Sequence, residues 1–325
     1  MPDAGRTPSS LPADDLVLPF RTVKSDVIGR VVRLGSAIDT VLSGHSYPEP
    51  VSYALGEALV LTAMLGSALK TQGKFILQTK TDGALDFLVA DYVSPGNVRG
   101  YANYDKKDAV LAKAQGRGDQ GALLGSGHVA MTIDPTGDKN TYQGIVAIER
   151  EPLVEVAHTY FRQSEQLPTF IRLAVARHYA PAGPHLAPAW RWRAGGLLIQ
   201  KLPRAGGGKL SPLSDEARDA SLEGEDDEDW NRTRHLAATV EDHEMLDPTL
   251  SPERLLYRLF HEEGVRVTPS TPVAAVCRCS RERIQLFLER FGPDELADMR
   301  EADGAITVTC EFCSCKYRFG AGEIG

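Results

Sequence analysis

Cysteine is missing from the first 276 of this chain's 325 residues. The main body therefore has no disulfide framework and must be held by apolar burial, for which 42% hydrophobic residues are ample. Long apolar runs are missing as well. Val51 to Leu69 comes nearest to one, but Ser52, Glu57, Thr62 and Ser67 interrupt it, so it reads as a buried amphipathic helix and no membrane association is expected. Positive charge is not in excess: 36 Lys+Arg against 44 Asp+Glu give a net charge of −8, which argues against a protein that coats nucleic acid or an anionic membrane. Met1 to Asp15 is polar and rich in Pro and Ser, without the apolar stretch of a secretory signal, so a cytoplasmic location is expected. Nothing resembles a catalytic triad or a phosphate loop, and no enzyme activity is expected. His158 and His261 fall in helical patterns and read as packed or surface side chains rather than ligands.

What is present divides the chain into four parts: a disordered tail over 1–16, a mixed core over 17–205, a flexible helical linker over 206–272 and a small C-terminal unit over 273–325. In the core, the β-branched run Val27 to Leu34 reads as a strand and Ser36 to Leu42 as a helix. Phe75 to Thr79 and Leu85 to Ala90 flank Asp82-Gly83, a hairpin signal, and Val129 to Ile133 and Gly144 to Ile148 bracket a second turn. Leu153 to Phe161 resumes helical spacing. Strands that arrive as hairpins with helices between them predict an α+β fold. Ala180 to Gly196, with Trp190 and Trp192 among arginines, reads as a Pro/Gly-rich insertion loop whose indoles pack locally.

Ala205 to Gly208 is a flexible break, and the acidic run Glu223 to Asp229 reads as a solvated segment. One helical pattern covers Trp230 to Met245. Another starts at Ser251-Pro252, a cap followed by proline at the first helical position, and carries Leu255, Leu256, Leu259 and Phe260 on one face. Helices this short are not stable alone, so each must dock that face on something.

All five cysteines lie near the C-terminus, in Cys277-Arg278-Cys279 and Cys310-Glu311-Phe312-Cys313-Ser314-Cys315. Two close thiol pairs separated by about thirty residues are what a four-thiolate Zn²⁺ site needs, each pair supplying two ligands from one turn. An odd count confined to one end of a large chain fits disulfide bonding poorly.

Cys277-Arg278-Cys279-Ser280-Arg281-Glu282-Arg283 followed by Cys310-Glu311-Phe312-Cys313 resembles the zinc centre of the heat shock protein 33 family, the redox-regulated holdase chaperones. Asp39 to Pro50, Tyr142 to Val146, Tyr160 to Thr169 and Leu259 to Glu263 look like further motifs of that family, in the same order. The resemblance implies an ATP-independent chaperone for unfolded client proteins. It would be idle with one Zn²⁺ per chain on Cys277, Cys279, Cys310 and Cys313, and active as a homodimer once Cys277–Cys279 and Cys310–Cys313 disulfides expel the metal. The core would then be the client-binding and dimerisation domain. Structural zinc contributes roughly 10–16 kcal/mol of apparent binding free energy, so its loss should unfold a unit this small and free the linker.

Two features depart from the family pattern: Cys315 is an extra thiol, a possible alternative ligand or disulfide partner, and Ala180 to Gly196 looks longer than the family's equivalent loop. Two rival functions remain beside the chaperone. One is a thiol–disulfide oxidoreductase built on Cys310 and Cys313. The other is a zinc-ribbon nucleic-acid binder, which the seven basic against nine acidic residues after Pro272 disfavour.

Overall fold

A computed structural model of the chain describes residues 14–324, except 109–110, 112–115, 137–140, 182–186 and 202–226. Its core is built from two antiparallel sheets. The first contains β1 (Leu16–Thr22), β2 (Val27–Leu34), β8 (Thr169–Ala180) and β9 (Ala189–Lys201) in the order β1–β2–β9–β8. The second contains β3 (Gly73–Thr81), β4 (Phe87–Val93), β5 (Asn97–Asn103), β6 (Ser126–Pro135) and β7 (Tyr142–Glu149) in the order β5–β4–β3–β6–β7. Both hairpins expected from the sequence form, with β3 on β4 and β6 on β7. The fold is α+β.

Helix α1 (Ser36–Ser43) is followed by α2 (Glu49–Gly66), which lies between the sheets. Sequence spacing suggests that α2 is amphipathic. It is instead buried on nearly every side, because one face meets β3, β4 and β5 while the other meets β2, β8 and β9. Gly56 permits this: a Cβ there would stand 2.9 Å from both methyls of Val175 on β8. Glu57 interrupts the apolar run and is itself buried. Arg117 pairs with its Oε1, while Oε2 has no hydrogen-bond partner. Burial outweighs the arginine and pushes the carboxyl up to about 7.

A strand's period of two sends alternate side chains of the first sheet to opposite faces. Val17, Val32, Leu34, Leu173 and Leu198 join the α2 cluster. Leu16, Leu18, Phe20, Val31, Leu197 and Ile199 point the other way, into a second cluster that the linker helices complete. Those helices follow α3 (Gln120–Leu124) and α4 (Leu153–Tyr160) in the chain; they are α5 (Glu228–Ala238), α6 (Asp242–Leu246) and α7 (Pro252–Phe260). Trp230, Leu255, Leu256 and Phe260 are buried there, and the Phe20 and Phe260 rings stack at 5.5 Å. The Ser251 cap forms as expected, its hydroxyl accepting from Arg254 N–H at 3.3 Å. Core arginines fasten the linker backbone: Arg33 donates to the carbonyls of Asp247 and Leu250, and Arg193 Nε to that of Leu246 at 2.7 Å.

Several expectations need correction. Ala180 to Gly196 is a loop only in its first half. About half of it, Ala189 to Gly196, is the start of β9, where it pairs with β8 throughout and with β2 from Ala194 onward; the prolines fall in the connection, part of which lies outside the described residues. Trp192 packs edge-on against Tyr53 in the core, whereas Trp190 meets Tyr179 at the surface. The pattern from Trp230 to Met245 is two helices, broken at Thr239 to Glu241. Within the expected tail, Asp14 to Leu16 are ordered: Asp15 accepts the Gly35, Ser36 and Ala37 N–H groups at the start of α1, and Asp14 pairs with Arg193 at 2.8 Å. The acidic run is in part structural. Asp227 caps α5 through Trp230 N–H, and Glu228 and Asp229 form its first turn; residues 223–226 and the break at 205–208 lie outside the described residues. The linker is also not wholly helical, since it contributes β10 (Val265–Val267) and β11 (Thr271–Pro272), both paired with β1.

Two outcomes follow. Trp230→Ala should weaken linker docking by about 3 kcal/mol, the usual cost of emptying a buried aromatic site. Amide exchange should accelerate across 228–263 while β2 and β9 stay protected; equal loss in both would show that linker and core unfold as one. For Glu57, a folded-state value raised above the unfolded one means that the folded protein binds the extra proton between about pH 4.5 and 7. Wild-type stability should therefore fall as pH rises through that window, and Glu57→Gln should flatten the dependence in chemical denaturation.

Candidate metal centre

After β12 (Ala274–Ala275) the chain leaves the core, and Cys277 and Cys279 follow at once. Ser280 then caps α8 (Arg281–Leu288), accepting from Arg283 N–H at 3.3 Å, and α9 (Pro293–Met299) comes next. The second thiol pair occupies the turn between β13 (Ile306–Thr309) and β14 (Lys316–Phe319). Cys310 N–H donates to Cys315 O at 2.9 Å and Ser314 N–H to Cys310 O at 2.8 Å, with Ser314 in the left-handed region. This closes the turn and aims Cys310 and Cys313 back at the first pair. Among the described residues, Leu288, Leu296, Ile306, Phe319 and Ile324 form the buried apolar cluster of this unit, with Ile284, Phe291, Val308 and Tyr317 half-buried against it, a core too small to hold it well without another constraint.

The Sγ atoms of Cys277, Cys279, Cys310 and Cys313 all lie within 4.8 Å of one another. Cys277 to Cys310 is 3.7 Å and Cys279 to Cys313 is 3.4 Å. A tetrahedron of sulfurs about 2.3 Å from one Zn²⁺ has edges of about 3.8 Å, so the donor set fits that ion. Cys315 is exposed and outside this group. The Tyr317 hydroxyl, 3.1 Å from Cys279 Sγ, is placed to donate to a thiolate there, the outer contact that ligands usually have.

Burial raises the Cys310 and Cys313 thiols above their ordinary range. At Cys279 burial acts in the same direction, but hydrogen bonds from Tyr317 and the other thiols outweigh it and bring the group down to about 7. Without a cation, Cys279 is thus a thiolate more readily than Cys310 or Cys313. A divalent ion removes this difference, since a coordinated thiol is deprotonated.

The thiol turn also rests on the core. The Arg99 guanidinium lies 3.9 Å from the centre of the Phe312 ring, and the Tyr101 ring centre is 6.3 Å from it. His45 bridges to Ser314 Oγ at 3.2 Å and to Phe312 O at 3.4 Å. Arg278, between the first two thiols, reaches the buried Asp91 at 2.5 Å, which Arg99 also holds at 2.8 Å. Thiol spacing identifies the four sulfurs but not these contacts; His45 falls within the Asp39 to Pro50 motif, and the others carry no local signal. Of the remaining motif residues, Asp39 fixes Trp192 N–H at 2.9 Å and Glu263 is buried against Arg232 at 2.6 Å. Phe161, Arg162 and Thr169 line a cleft of about 440 Å³ shared with Trp230 and Arg234 of the linker. His158 is half-buried and accepts Ile171 N–H at 3.1 Å, while His261 is exposed; neither belongs to the thiol group.

Comparison with known proteins gives one consistent result. The family model described as Hsp33 protein matches residues 15–320. The 33 kDa chaperonin of Caulobacter vibrioides is 44% identical over 307 residues, 94% of each chain. That of Pseudomonas aeruginosa is 36% identical over 302 residues, 92% of this chain and 90% of the relative. In fold, the chain is similar to the crystal structure of the Thermotoga maritima 33 kDa chaperonin, a heat shock protein 33 homolog, with a TM-score of 0.72 at 22% identity over 95% of this chain and 96% of the other.

The geometry separates the roles of the five thiols. Cys315→Ser should leave zinc content near one per chain, whereas Cys310→Ser should lower metal affinity by well over about tenfold. Metal analysis combined with chelator competition reads both; equal losses would overturn the assignment of Cys315 outside the ligand set.

Proposed function

Because the chain belongs to the Hsp33 family, we propose that it is an ATP-independent holdase of the cytoplasm, idle when reduced and zinc-bound and active when oxidised. It binds unfolded client proteins and keeps them soluble, and it performs no catalytic turnover. The observation that carries this reading is the covered face of the first sheet. Leu16, Leu18, Phe20, Leu197 and Ile199 form an apolar surface whose lid, α5 to α7, leads through β10 to β12 directly into Cys277. Soluble proteins rarely leave such a patch open, so a lid tied to a thiol centre is suited to a surface needed only under oxidative stress.

Cys277, Cys279, Cys310 and Cys313 would hold the ion, one per chain. When bound, Zn²⁺ supplies the charge that keeps four thiols deprotonated and the constraint that so small an apolar cluster lacks. A thiolate attacks peroxide, giving a sulfenic acid and hydroxide; a second thiolate displaces hydroxide from that sulfur and forms the disulfide. Joining Cys310 to Cys313 removes two donors together, and joining Cys277 to Cys279 removes the others. The closest sulfur contacts run between the pairs, so each disulfide also requires its turn to change shape, which loosens Phe312 and Arg278 from the core. The lid then loses its anchor, and the exposed surfaces of two chains can bury one another in a dimer. The rival oxidoreductase reading is disfavoured because Cys310 sits in a hairpin turn, not at the helix N-terminus that lowers a catalytic thiol.

Peroxide treatment should drop bound zinc from one per chain towards zero and, in parallel, let the protein suppress aggregation of a thermally unfolding enzyme without ATP. Reduced, zinc-loaded protein should not suppress it. Equal holding in both states would reject redox control, and holding in neither would reject the chaperone.

A further inference from the structure

Both core sheets have one edge that is covered by the same short stretch of chain. Residues 264–276 leave α7 and lie antiparallel along β1 as β10 and β11, pairing Phe20 with Val267 and Leu16 with Pro272. They then cross to the second sheet and run parallel to β5 as β12, pairing Ala274 with Asn97. The approach is close: a Cβ on Gly96 would fall 1.9 Å from Pro272 O.

This strap is held mainly by its main chain. Thr268 N–H donates to Pro19 O at 3.0 Å, Val273 N–H to Asp15 O at 2.7 Å, Ala274 N–H to Gly96 O at 2.9 Å and Val276 N–H to Val98 O at 3.0 Å. Val23 N–H donates back to Gly264 O at 2.8 Å. Most of the strap's side chains are exposed, and only Val273 is buried in the core cluster. Its strands are two or three residues long, and its last hydrogen-bonded residue, Val276, adjoins the ligand Cys277. Whatever frees Cys277 therefore frees the strap from its C-terminal end. Uncovered strand edges are templates for pairing with another chain.

Resting on the redox-holdase reading, we propose that the strap is a stand-in for client, and that the oxidised protein takes extended segments of unfolded polypeptide onto the edges of β1 and β5 by strand addition. The occupant follows from how the strap binds: contacts made through backbone N–H and C=O groups suit any extended chain, which every unfolded protein supplies whatever its sequence. Among the described residues, the far edges β7 and β8 are paired on one side only while all five cysteines are free, so they are not what the thiols control.

The test uses the oxidised full-length chain, a thermally unfolding client and two peptides of residues 264–276. One peptide is unmodified; the other is N-methylated at Thr268, Val273, Ala274 and Val276, which deletes the four donors and keeps every side chain. The unmodified peptide should bind oxidised but not reduced protein and displace client, and the methylated one should be at least about tenfold weaker. Hydrogen exchange at β1 and β5 should rise on oxidation and slow again by about tenfold when client or peptide is added. Equal competition by both peptides, or client held while the two edges stay unprotected, would overturn strand addition in favour of side-chain capture on the open sheet face. Edge protection that appears with rising protein concentration and no client would assign the edges to a second copy and also overturn it. Peptide bound at the edges of a chain that holds no client would leave the surface standing and reject the holdase.

Discussion

The first sheet is apolar on both faces, and the rest of the architecture answers to that constraint. One face is closed permanently by α2, which the second sheet presses from the other side. The other face is covered by later sequence; among the described residues its cluster is made of the sheet's own side chains and those of the linker. Trp230, Leu255, Leu256 and Phe260 supply that cover, on helices too short to persist without it. Sheet and lid thus stabilise each other, and neither apolar surface is acceptable to water alone.

The fastening of the lid is mixed in character. Apolar burial is supplemented by Arg33 and Arg193, whose guanidinium groups reach from core strands to linker carbonyls. Arg33 is buried, and a guanidinium in that setting is tolerable only while its partners stay in place; desolvation already lowers its affinity for the proton. In a lid held in this way the apolar contacts and the buried hydrogen bonds depend on one another. The thiol unit sits at the far end of the same segment, resting on His45, Asp91, Arg99 and Tyr101. The chemistry at four sulfurs and the cover on the sheet are therefore joined by a strap of a dozen or so residues held mostly by main-chain hydrogen bonds.

Much of the site was legible in the sequence because thiol spacing is a local property. Two residues between Cys310 and Cys313 are enough for a turn that points both sulfurs one way, whatever surrounds it. The two hairpins, the Ser251 cap and the apolar stripe of α7 were legible for the same reason: each is decided within a few residues. The region from Ala180 to Gly196 misled because Pro and Gly dominate its composition, yet Gly195 and Gly196 serve close packing inside a central strand. Likewise α2 has a pattern interrupted by Glu57 and Thr62, and only the presence of a sheet on either side makes a helix with buried polar groups the stable outcome.

Sequence by itself determined the α+β class, the hairpins and a set of four thiols that could hold one metal ion. Tertiary structure alone decided that the linker helices seal the first sheet, that residues 264–276 cap an edge of each sheet, that Arg99 and His45 receive the thiol turn and that Asp91 receives Arg278. The physical reason lies in what each kind of contact recognises. Turns, caps and ligand pairs depend on side chains a few positions apart. Strand addition depends on backbone groups that every residue carries, and docking on pairs far apart in the chain, so neither leaves a mark that a local pattern can show.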